Sequence, residues 1–201
     1  MREMGATLSP FATHSLLQGL ETLTLRVDKQ TQSALRLAQW LEAHEAVQWV
    51  SRASLSLSLH RRARVRQPDP LSSRLADPGL PSHPSHALFK RFLPRGSGGM
   101  LCFALKPTSS LSSTAIARAF IDATQLAIHA PNVGDVRTLV LHPQSTTHRQ
   151  LTPEEARENG STPDLIRVSV GIEDVEDIIA GALASHSLCP SHSSARAKSV
   201  G

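Results

Sequence analysis

The feature that most limits how this chain can fold is a long stripe of apolar residues at helical spacing near its start. Ser9 followed by Pro10 is typical of a helix N-terminus, because serine can cap the first turn and proline lacks only a donor that the first turn does not use. Apolar residues then recur every three or four positions at Leu16, Leu20, Leu23 and Val27, and the stripe resumes at Ala34, Leu37, Ala38 and Leu41. This spacing predicts one long helix, or two abutting helices, ending near Ala43 and packing against a sheet.

The remainder of the chain alternates between short strand patterns and helical patterns. Strand patterns occupy 47–50, 100–105, 138–141 and 165–170, and helical patterns occupy 86–92, 116–123, 153–158 and 175–183. The glycine-rich turn at 96–99 is no phosphate-binding loop, because it lacks the Lys-Ser or Lys-Thr pair and leads into a strand. Three or four strands separated by helices predict an α/β fold, as a two-layer α/β sandwich.

Residues 51–76 interrupt this pattern, with six Ser, six Arg, no Lys and a Ser-Leu alternation over 54–59. So few apolar residues cannot offset the entropy of ordering the segment, which predicts a disordered insertion. Alternating Ser and Leu is also what a repeated CT dinucleotide encodes, so translated non-coding sequence is an alternative interpretation. We therefore expect one domain formed by 1–50 and 77–184, with a disordered, Ser- and His-rich tail at 185–201.

The positive charge of the chain is concentrated in the same segment. Lys and Arg number 21 against 17 Asp and Glu, a net charge of +4, but residues 51–76 alone carry +5 and the rest sums to −1. Five Phe and two Trp are the only aromatic residues, which disfavours binding of single-stranded nucleic acid by base stacking. No run approaches the ~20 apolar residues that span a bilayer, and no apolar signal-peptide run follows Met1.

Two cysteines in unlike settings, Cys102 in an apolar run and Cys189 in the polar tail, provide neither a disulfide framework nor metal-ligand spacing. A reducing compartment is the default for such thiols. We therefore expect a cytoplasmic protein with no nucleic-acid partner and no membrane partner.

Arg167 is the residue whose setting most suggests binding chemistry. The strand period of two places it on the face opposite Ile166 and Val168. An arginine among apolar neighbours needs a partner, and its planar guanidinium suits a carboxylate held by two parallel hydrogen bonds. The residues alone leave two alternatives open: an internal salt bridge, which they favour somewhat, and a bound ligand.

Hydroxyl and imidazole side chains are concentrated in the segment 142–148. Its two histidines, six positions apart with no carboxylate or cysteine nearby, are weak metal ligands, so we expect no metal site. Ser145 and His148 resemble a nucleophile pair but lack any oxyanion-hole signature. We expect a hydrogen-bonded loop that caps the sheet.

Five strings in a fixed order carry a resemblance to a known family. They are GATLSPF at 5–11, LQGLETL at 17–23, PGLPSHP at 78–84, NVGD at 132–135 and PDLIRVSVGIED at 163–174. Over residues 1–50 and 77–183 the chain resembles the C-terminal portion of the O-acetylhomoserine sulfhydrylases, within the Cys/Met metabolism family of pyridoxal-phosphate-dependent enzymes. The resemblance implies the C-terminal domain of a fold-type I enzyme, a homotetramer that makes homocysteine or methionine from O-acetylhomoserine and sulfide or a thiol.

The resemblance also implies roles for four residues. Arg167 matches the family's arginine for the substrate carboxylate, Asn132 and Val133 match the position that meets the same carboxylate, and Thr147 matches a threonine beside the active site. Pro131 stands where alanine is usual, and it removes a backbone donor next to Asn132.

The cofactor side of the family's site is expected to be missing from this chain. In the family the Schiff-base lysine and most phosphate contacts lie upstream, and the four lysines here match no cofactor-lysine motif: Lys29, Lys90, Lys106 and Lys198. We therefore expect no catalytic and no cofactor-binding residue in this chain, and no activity from it alone.

Two rival functions stay open at this point. Cystathionine γ-synthase or γ-lyase shares the fold and the arginine, although the Asn132-Val133 pair favours the sulfhydrylase because those relatives more often have Ser-Leu there. A non-catalytic binding module that uses the Arg-rich segment on acidic partners is the rival from another class.

Overall fold

The computed structural model describes residues 7–51, 86–107, 111–158 and 160–188. The predicted insertion at 51–76 lies outside these residues apart from Ser51, and so does the predicted tail beyond Leu188. In the part of the chain that is described, no helix combines the length and the apolar character needed to cross a membrane.

Helices and strands alternate along the described chain much as the sequence predicts. The helices are α1 (Pro10–Glu21), α2 (Leu23–Ala43), α3 (His86–Phe92), α4 (Ser113–Asp122), α5 (Pro153–Glu158) and α6 (Val175–Leu188). The strands are β1 (Val47–Ser51), β2 (Met100–Leu105), β3 (Ile128–His129), β4 (Leu139–Leu141) and β5 (Ile166–Ser169), and a 3-10 turn covers Pro143–Ser145.

The predicted start of the first helix is confirmed. Ser9 is extended, its Oγ accepts a hydrogen bond of 3.2 Å from the backbone N–H of Ala12, and Pro10 occupies the first turn. Thr22 separates α1 from α2, which ends at Ala43 as predicted. The alternative of two abutting helices is therefore the correct one.

The five strands form a single mixed sheet in the order β1-β2-β5-β4-β3. Every neighbouring pair is antiparallel except β3 and β4, which are parallel. Strand β3 has no signal in the sequence, because its two residues are both exposed and show no apolar alternation. The order places β5, and with it Arg167, between β2 and β4.

One hydrophobic core lies between the sheet and the helices α2, α4 and α6. Its largest members include Leu37 of α2, Phe103 of β2 and Phe120 of α4. The rings of Phe103 and Phe120 meet edge to face at 5.5 Å between centroids, which is a favoured aromatic geometry. The predicted two-layer α/β arrangement is thereby confirmed.

The prediction that the whole apolar stripe packs on the sheet is wrong for its first half. Ala34, Leu37, Ala38 and Leu41 are buried, whereas Leu16, Leu20, Leu23 and Val27 are 41–61% exposed. Burial in α2 begins only at Gln30, and α1 has no buried residue, so periodicity alone does not determine which part of the stripe is covered. Helix α1 therefore presents an unused apolar face.

The last helix also departs from its predicted boundary. We expected a disordered tail from residue 185, but α6 continues to Leu188. Ser185 is fully buried, and its Oγ donates a hydrogen bond of 2.7 Å to the carbonyl of Gly181. This bond to the preceding turn satisfies the hydroxyl inside the helix, so serine does not end it.

Candidate functional site

Arg167 lies in the middle of the sheet, on the face turned away from the hydrophobic core. Its cross-strand neighbours are Cys102 on β2 and Leu141 on β4. Ile166 and Val168, on either side of it in β5, belong to the core. The predicted alternation of this strand is therefore confirmed, and Arg167 is half-buried.

The partner of Arg167 is a backbone carbonyl and not a carboxylate. Its Nη2 donates a hydrogen bond of 2.6 Å to the carbonyl oxygen of Pro131. Within the described residues no carboxylate lies at ion-pair distance from it, so the internal salt bridge that the residues favoured is not formed. A guanidinium has five N–H donors, so most remain available to a ligand. Burial lowers the pKa of Arg167 from its usual value.

Cys102 faces Arg167 across the pairing of β2 with β5, a contact that the sequence does not predict. Burial raises the pKa of its thiol to about 12, against the opposing effect of the charge on Arg167. The thiol is therefore neutral at physiological pH and places no negative charge beside the guanidinium. The alternation of β2 could have assigned Cys102 to this face only once the pairing of β2 with β5 was known.

The loop between β3 and β4 comes over the same face and is anchored at several points. Gly134 donates its N–H to Ser169 Oγ over 3.2 Å, and Gln30 Nε2 donates to the carbonyl of Asp135 over 2.8 Å. The N–H of Ile172 donates to the carbonyl of Val136 over 2.8 Å. Gly134 has φ of 80°, a backbone conformation that glycine adopts without strain. These anchors fix the loop to β5 and α2.

Asn132 and Val133 form the exposed tip of this loop, between the anchored positions Pro131 and Gly134. The carboxamide of Asn132 has no hydrogen bond to any other residue described by the structure, and Val133 is 61% exposed. The structure thus brings Arg167 and the Asn132-Val133 pair together through Pro131. Proline at 131 loses an N–H but keeps the carbonyl that Arg167 uses, so this departure from the family pattern preserves the contact.

A second anchor fixes the end of the loop to the segment after β5. Glu173 accepts hydrogen bonds from the backbone N–H and the hydroxyl of Thr138, at 2.6 and 2.9 Å. The N–H of Gly171 donates to the same hydroxyl oxygen over 3.0 Å. A Cβ on Gly171 would meet the carboxylate of Glu173 and lie 2.5 Å from the carbonyl of Val136, so the position has room only for glycine.

Thr147 lies in a separate turn after β4 and makes no hydrogen bond to Arg167 or Asn132. Its hydroxyl is 2.8 Å from Nδ1 of His148. The structure therefore does not join the fourth predicted substrate residue to the other three.

The same turn is organised around His142, as the expected capping loop. Its Nδ1 is 2.9 Å from Ser145 Oγ and its Nε2 is 2.9 Å from the carbonyl of Pro163. The serine is thus paired with His142 and not with His148. Burial lowers the pKa of His142, with a smaller contribution in the same direction from the charge of Arg118. The imidazole of His142 is buried, neutral and hydrogen-bonded through both ring nitrogens, so its role is structural.

The described lysines do not fit a covalent pyridoxal phosphate. Lys29, Lys90 and Lys106 are all exposed, and Lys106 Nζ donates to the carbonyl of Glu45. A Schiff-base lysine must be held beside groups that bind the phosphate and the pyridine ring. Lys198 lies outside the described residues. No described lysine is placed to hold the cofactor.

Comparison with known proteins agrees with the resemblance in the sequence. The model of the Cys/Met metabolism PLP-dependent enzyme family matches residues 1–69 and 63–185. A homocysteine/cysteine synthase of Kluyveromyces lactis is 44% identical over 190 residues, which are 92% of this chain and 37% of that protein. O-acetyl-L-homoserine sulfhydrylase 1 of Thermus thermophilus is 37% identical over 178 residues, 89% of this chain and 35% of that protein.

The fold is similar to that of a solved enzyme structure as well. Cystathionine gamma synthase of Xanthomonas oryzae, in complex with cystathionine, aligns with a TM-score of 0.70 and 30% identity over 94% of this chain and 41% of that chain. The chain spans about a third of the length of the curated relatives that it matches. From the family match, the identity to its members and the shared fold, we conclude that this chain belongs to the Cys/Met metabolism family of PLP-dependent enzymes.

Proposed function

We propose that this chain is the C-terminal part of a pyridoxal-phosphate-dependent O-acetylhomoserine sulfhydrylase and that it binds the α-carboxylate of the amino-acid substrate. The single observation that carries this proposal is the setting of Arg167. Its guanidinium is half-buried on the face of the sheet turned away from the hydrophobic core, has no carboxylate partner among the described residues and lies beside the exposed tip Asn132-Val133.

The chemistry of this binding follows from the donors present. The hydrogen bond to Pro131 engages one nitrogen of the guanidinium and so restrains the side chain. The other N–H groups can donate two parallel bonds to one carboxylate, which a lysine could not do. The carboxamide of the exposed residue Asn132 would add a neutral donor. Thr147 is assigned to the same substrate by resemblance alone.

The reaction itself belongs to the longer protein. Its pyridoxal phosphate would activate the homoserine ester, acetate would leave, and sulfide or a thiol would add to give homocysteine or methionine. Since no described lysine fits the cofactor, we assign no catalytic step to this chain. Its residues bind and orient the substrate, and we expect the chain alone to be inactive.

A cystathionine γ-synthase or γ-lyase is the alternative within the same family, and the Xanthomonas oryzae structure shows that this fold serves such enzymes too. The Asn132-Val133 pair at the loop tip favours the sulfhydrylase. The binding-module alternative depends on residues 51–76, which lie outside the described residues apart from Ser51.

We also propose that the complete protein is a cytoplasmic homotetramer. The apolar face of α1, with Phe11 81% exposed and Leu20 61% exposed, is the feature of this chain that supports burial against further protein. Several exposed apolar side chains on one helix are typical of a surface that is covered in the assembled protein.

The function is tested by recovering the coding sequence upstream of Met1 and across 51–76 from the transcript, and by assaying the encoded protein. We expect homocysteine from O-acetylhomoserine and sulfide, and no product from this chain alone. If the protein forms cystathionine from O-acetylhomoserine and cysteine in preference to forming homocysteine from sulfide, the alternative is established instead. A mature transcript that encodes only this chain would contradict the proposal.

A further inference from the structure

A cleft of about 460 Å³ lies between α4 and the turn that follows β4, and neither Arg167 nor Asn132 lines it. Helix α4 contributes Arg118 and Asp122, and the turn contributes Thr146 and Arg149. His129 of β3 closes one side. The volume is within the range of about 300–1,000 Å³ that small-molecule sites occupy.

The charged groups of the described residues that line this cleft form no ion pairs with one another. Within the described residues, the guanidinium groups of Arg118 and Arg149 and the carboxylate of Asp122 have no hydrogen bond and no ion pair. Arg118 and Asp122 are four residues apart on one helix, a spacing at which opposite charges can pair, although the order with the base first is the less favourable one. Elsewhere such groups do pair, as Arg36 does with Glu176 at 3.2 Å.

The wall opposite α4 is internally hydrogen-bonded, and the hydroxyls of Ser145 and Thr146 already have partners there. His142 is buried and held through both ring nitrogens, by Ser145 and by the carbonyl of Pro163. Thr146 Oγ1 donates to the carbonyl of His142 over 2.8 Å. A ligand in the cleft would therefore meet three unpaired charged groups, namely two guanidinium groups and one carboxylate. The imidazole of His129, which makes no hydrogen bond to another described residue, also lines the cleft.

We propose that this cleft binds a small acidic amino acid, with its carboxylates on Arg118 and Arg149 and its ammonium group on Asp122. Two unpaired cations and one unpaired anion are complemented by a ligand with two anions and one cation. An acidic amino acid has this set of charges, and guanidinium groups bind carboxylates with charge-assisted hydrogen bonds. A simple anion would leave Asp122 unpaired in the same cleft.

Isothermal titration of the full 201-residue chain tests the proposal, with L-glutamate, glutarate and inorganic phosphate as probes. We expect saturable binding of L-glutamate, weakened at least about tenfold by R118Q and by R149Q, since each loses a charge-assisted bond. D122N is expected to weaken L-glutamate and not glutarate, which lacks the ammonium group. R36Q, an equal loss of charge on another surface, is the matched control and should bind as the unaltered chain does.

Circular dichroism of each variant checks that the fold is retained, which the exposure of Arg118, Asp122 and Arg149 leads us to expect. Failure of L-glutamate to bind saturably would overturn the proposal. The proposal is also overturned if R118Q and R149Q bind L-glutamate as tightly as R36Q binds it. If phosphate binds as tightly as L-glutamate does, and D122N does not weaken the binding of L-glutamate, the proposal is also overturned and the cleft is a general anion site.

Discussion

The guanidinium of Arg167 and the carbonyl oxygen of Pro131 are joined by a hydrogen bond of 2.6 Å that spans the face of the sheet. This bond connects the central strand β5 to the loop whose tip is Asn132-Val133. Because the acceptor is a backbone carbonyl, the positive charge of Arg167 is not neutralised by it. The same contact therefore orients the side chain and keeps its charge available to a carboxylate ligand.

The close approach at Gly171 is the first testable consequence of this arrangement. Gly171→Ala should destabilise the chain by about 1–3 kcal/mol, because a Cβ there overlaps Glu173 and the backbone of Val136. Chemical denaturation measures the change. Gly19→Ala is the matched control: nothing lies within 4 Å of its Cβ, and in a helix the change should be neutral or stabilising by about 0.5–1 kcal/mol. Equal effects of the two substitutions would contradict the packing described at Gly171.

The burial of His142 predicts a dependence of stability on pH. Its pKa is lowered from 6.5 in the folded state, so the unfolded chain takes up a proton first as the pH falls. The contribution of His142 is thus complete above about pH 6.5 and is lost below it, with a slope of at most about 1.4 kcal/mol per pH unit. His142→Asn should flatten the profile of melting temperature against pH between neutral and mildly acidic conditions.

Exposed His129, whose ring makes no hydrogen bond to another described residue, provides the control for this titration. His129→Asn should retain the fall in melting temperature on acidification. A profile for His142→Asn as steep as that of the unaltered chain would show that another group is responsible.

The two halves of the N-terminal apolar stripe should respond differently to substitution. Leu37 is 3% exposed, so Leu37→Ala should cost about 2–5 kcal/mol in unfolding free energy. Leu16 and Leu20 are 57% and 61% exposed. The double variant L16Q/L20Q should therefore change the unfolding free energy by no more than about 0.5 kcal/mol per site. Sedimentation should show less self-association for L16Q/L20Q. A loss of stability as large as that of Leu37→Ala would mean that α1 packs within the chain.

The chain should also take up no pyridoxal phosphate covalently. A Schiff base absorbs visible light and is converted by borohydride to a permanent label on lysine. We expect no stoichiometric label after incubation with pyridoxal phosphate and reduction, because Lys29, Lys90 and Lys106 are exposed and lack a surrounding cofactor site. A single label that maps to one lysine would contradict the absence of a cofactor lysine.

Local signals in the sequence were sufficient for most of the fold. Ser9 and Pro10 marked the start of α1, and the alternation around Arg167 assigned it correctly to the face away from the core. The periodicity of apolar residues indicates that a helix is amphipathic, but it does not indicate which part of the apolar face is buried. The exposed half of the stripe, from Leu16 to Val27, was for this reason assigned to the core.

The candidate site was less accessible from the sequence, because its contacts join residues far apart in the chain. Arg167 and Pro131 are 36 positions apart, and Cys102 faces Arg167 only through the pairing of β2 with β5. Both relationships depend on the strand order, which no local pattern specifies. From the residues alone, an internal salt bridge is the favoured interaction of Arg167, and only the family resemblance indicates a bound carboxylate.

The proposed substrate role of Asn132 rests on the family resemblance, and its position at the exposed loop tip next to Pro131 supports it. In the longer protein, Asn132→Ala should raise the KM for the amino-acid substrate, but by less than a change at Arg167. A neutral donor to a charged acceptor is lost while the guanidinium stays in place. Steady-state kinetics with sulfide held at saturation measures the effect, and a KM equal to that of the unaltered enzyme would remove Asn132 from the site.

The most direct test of carboxylate binding is the KM of Arg167→Lys in the longer enzyme. Lysine keeps the charge but loses the fork, and charge-assisted bonds contribute about 1.5–3 kcal/mol each. The KM for the amino-acid substrate should therefore rise by roughly one to two orders of magnitude, with a smaller change in kcat and little change in the KM for sulfide. Arg36→Lys, at an exposed ion pair, is the control and should leave all three values unchanged. An amino-acid KM for Arg167→Lys within about twofold of the unaltered enzyme, below what one such bond contributes, would contradict the account.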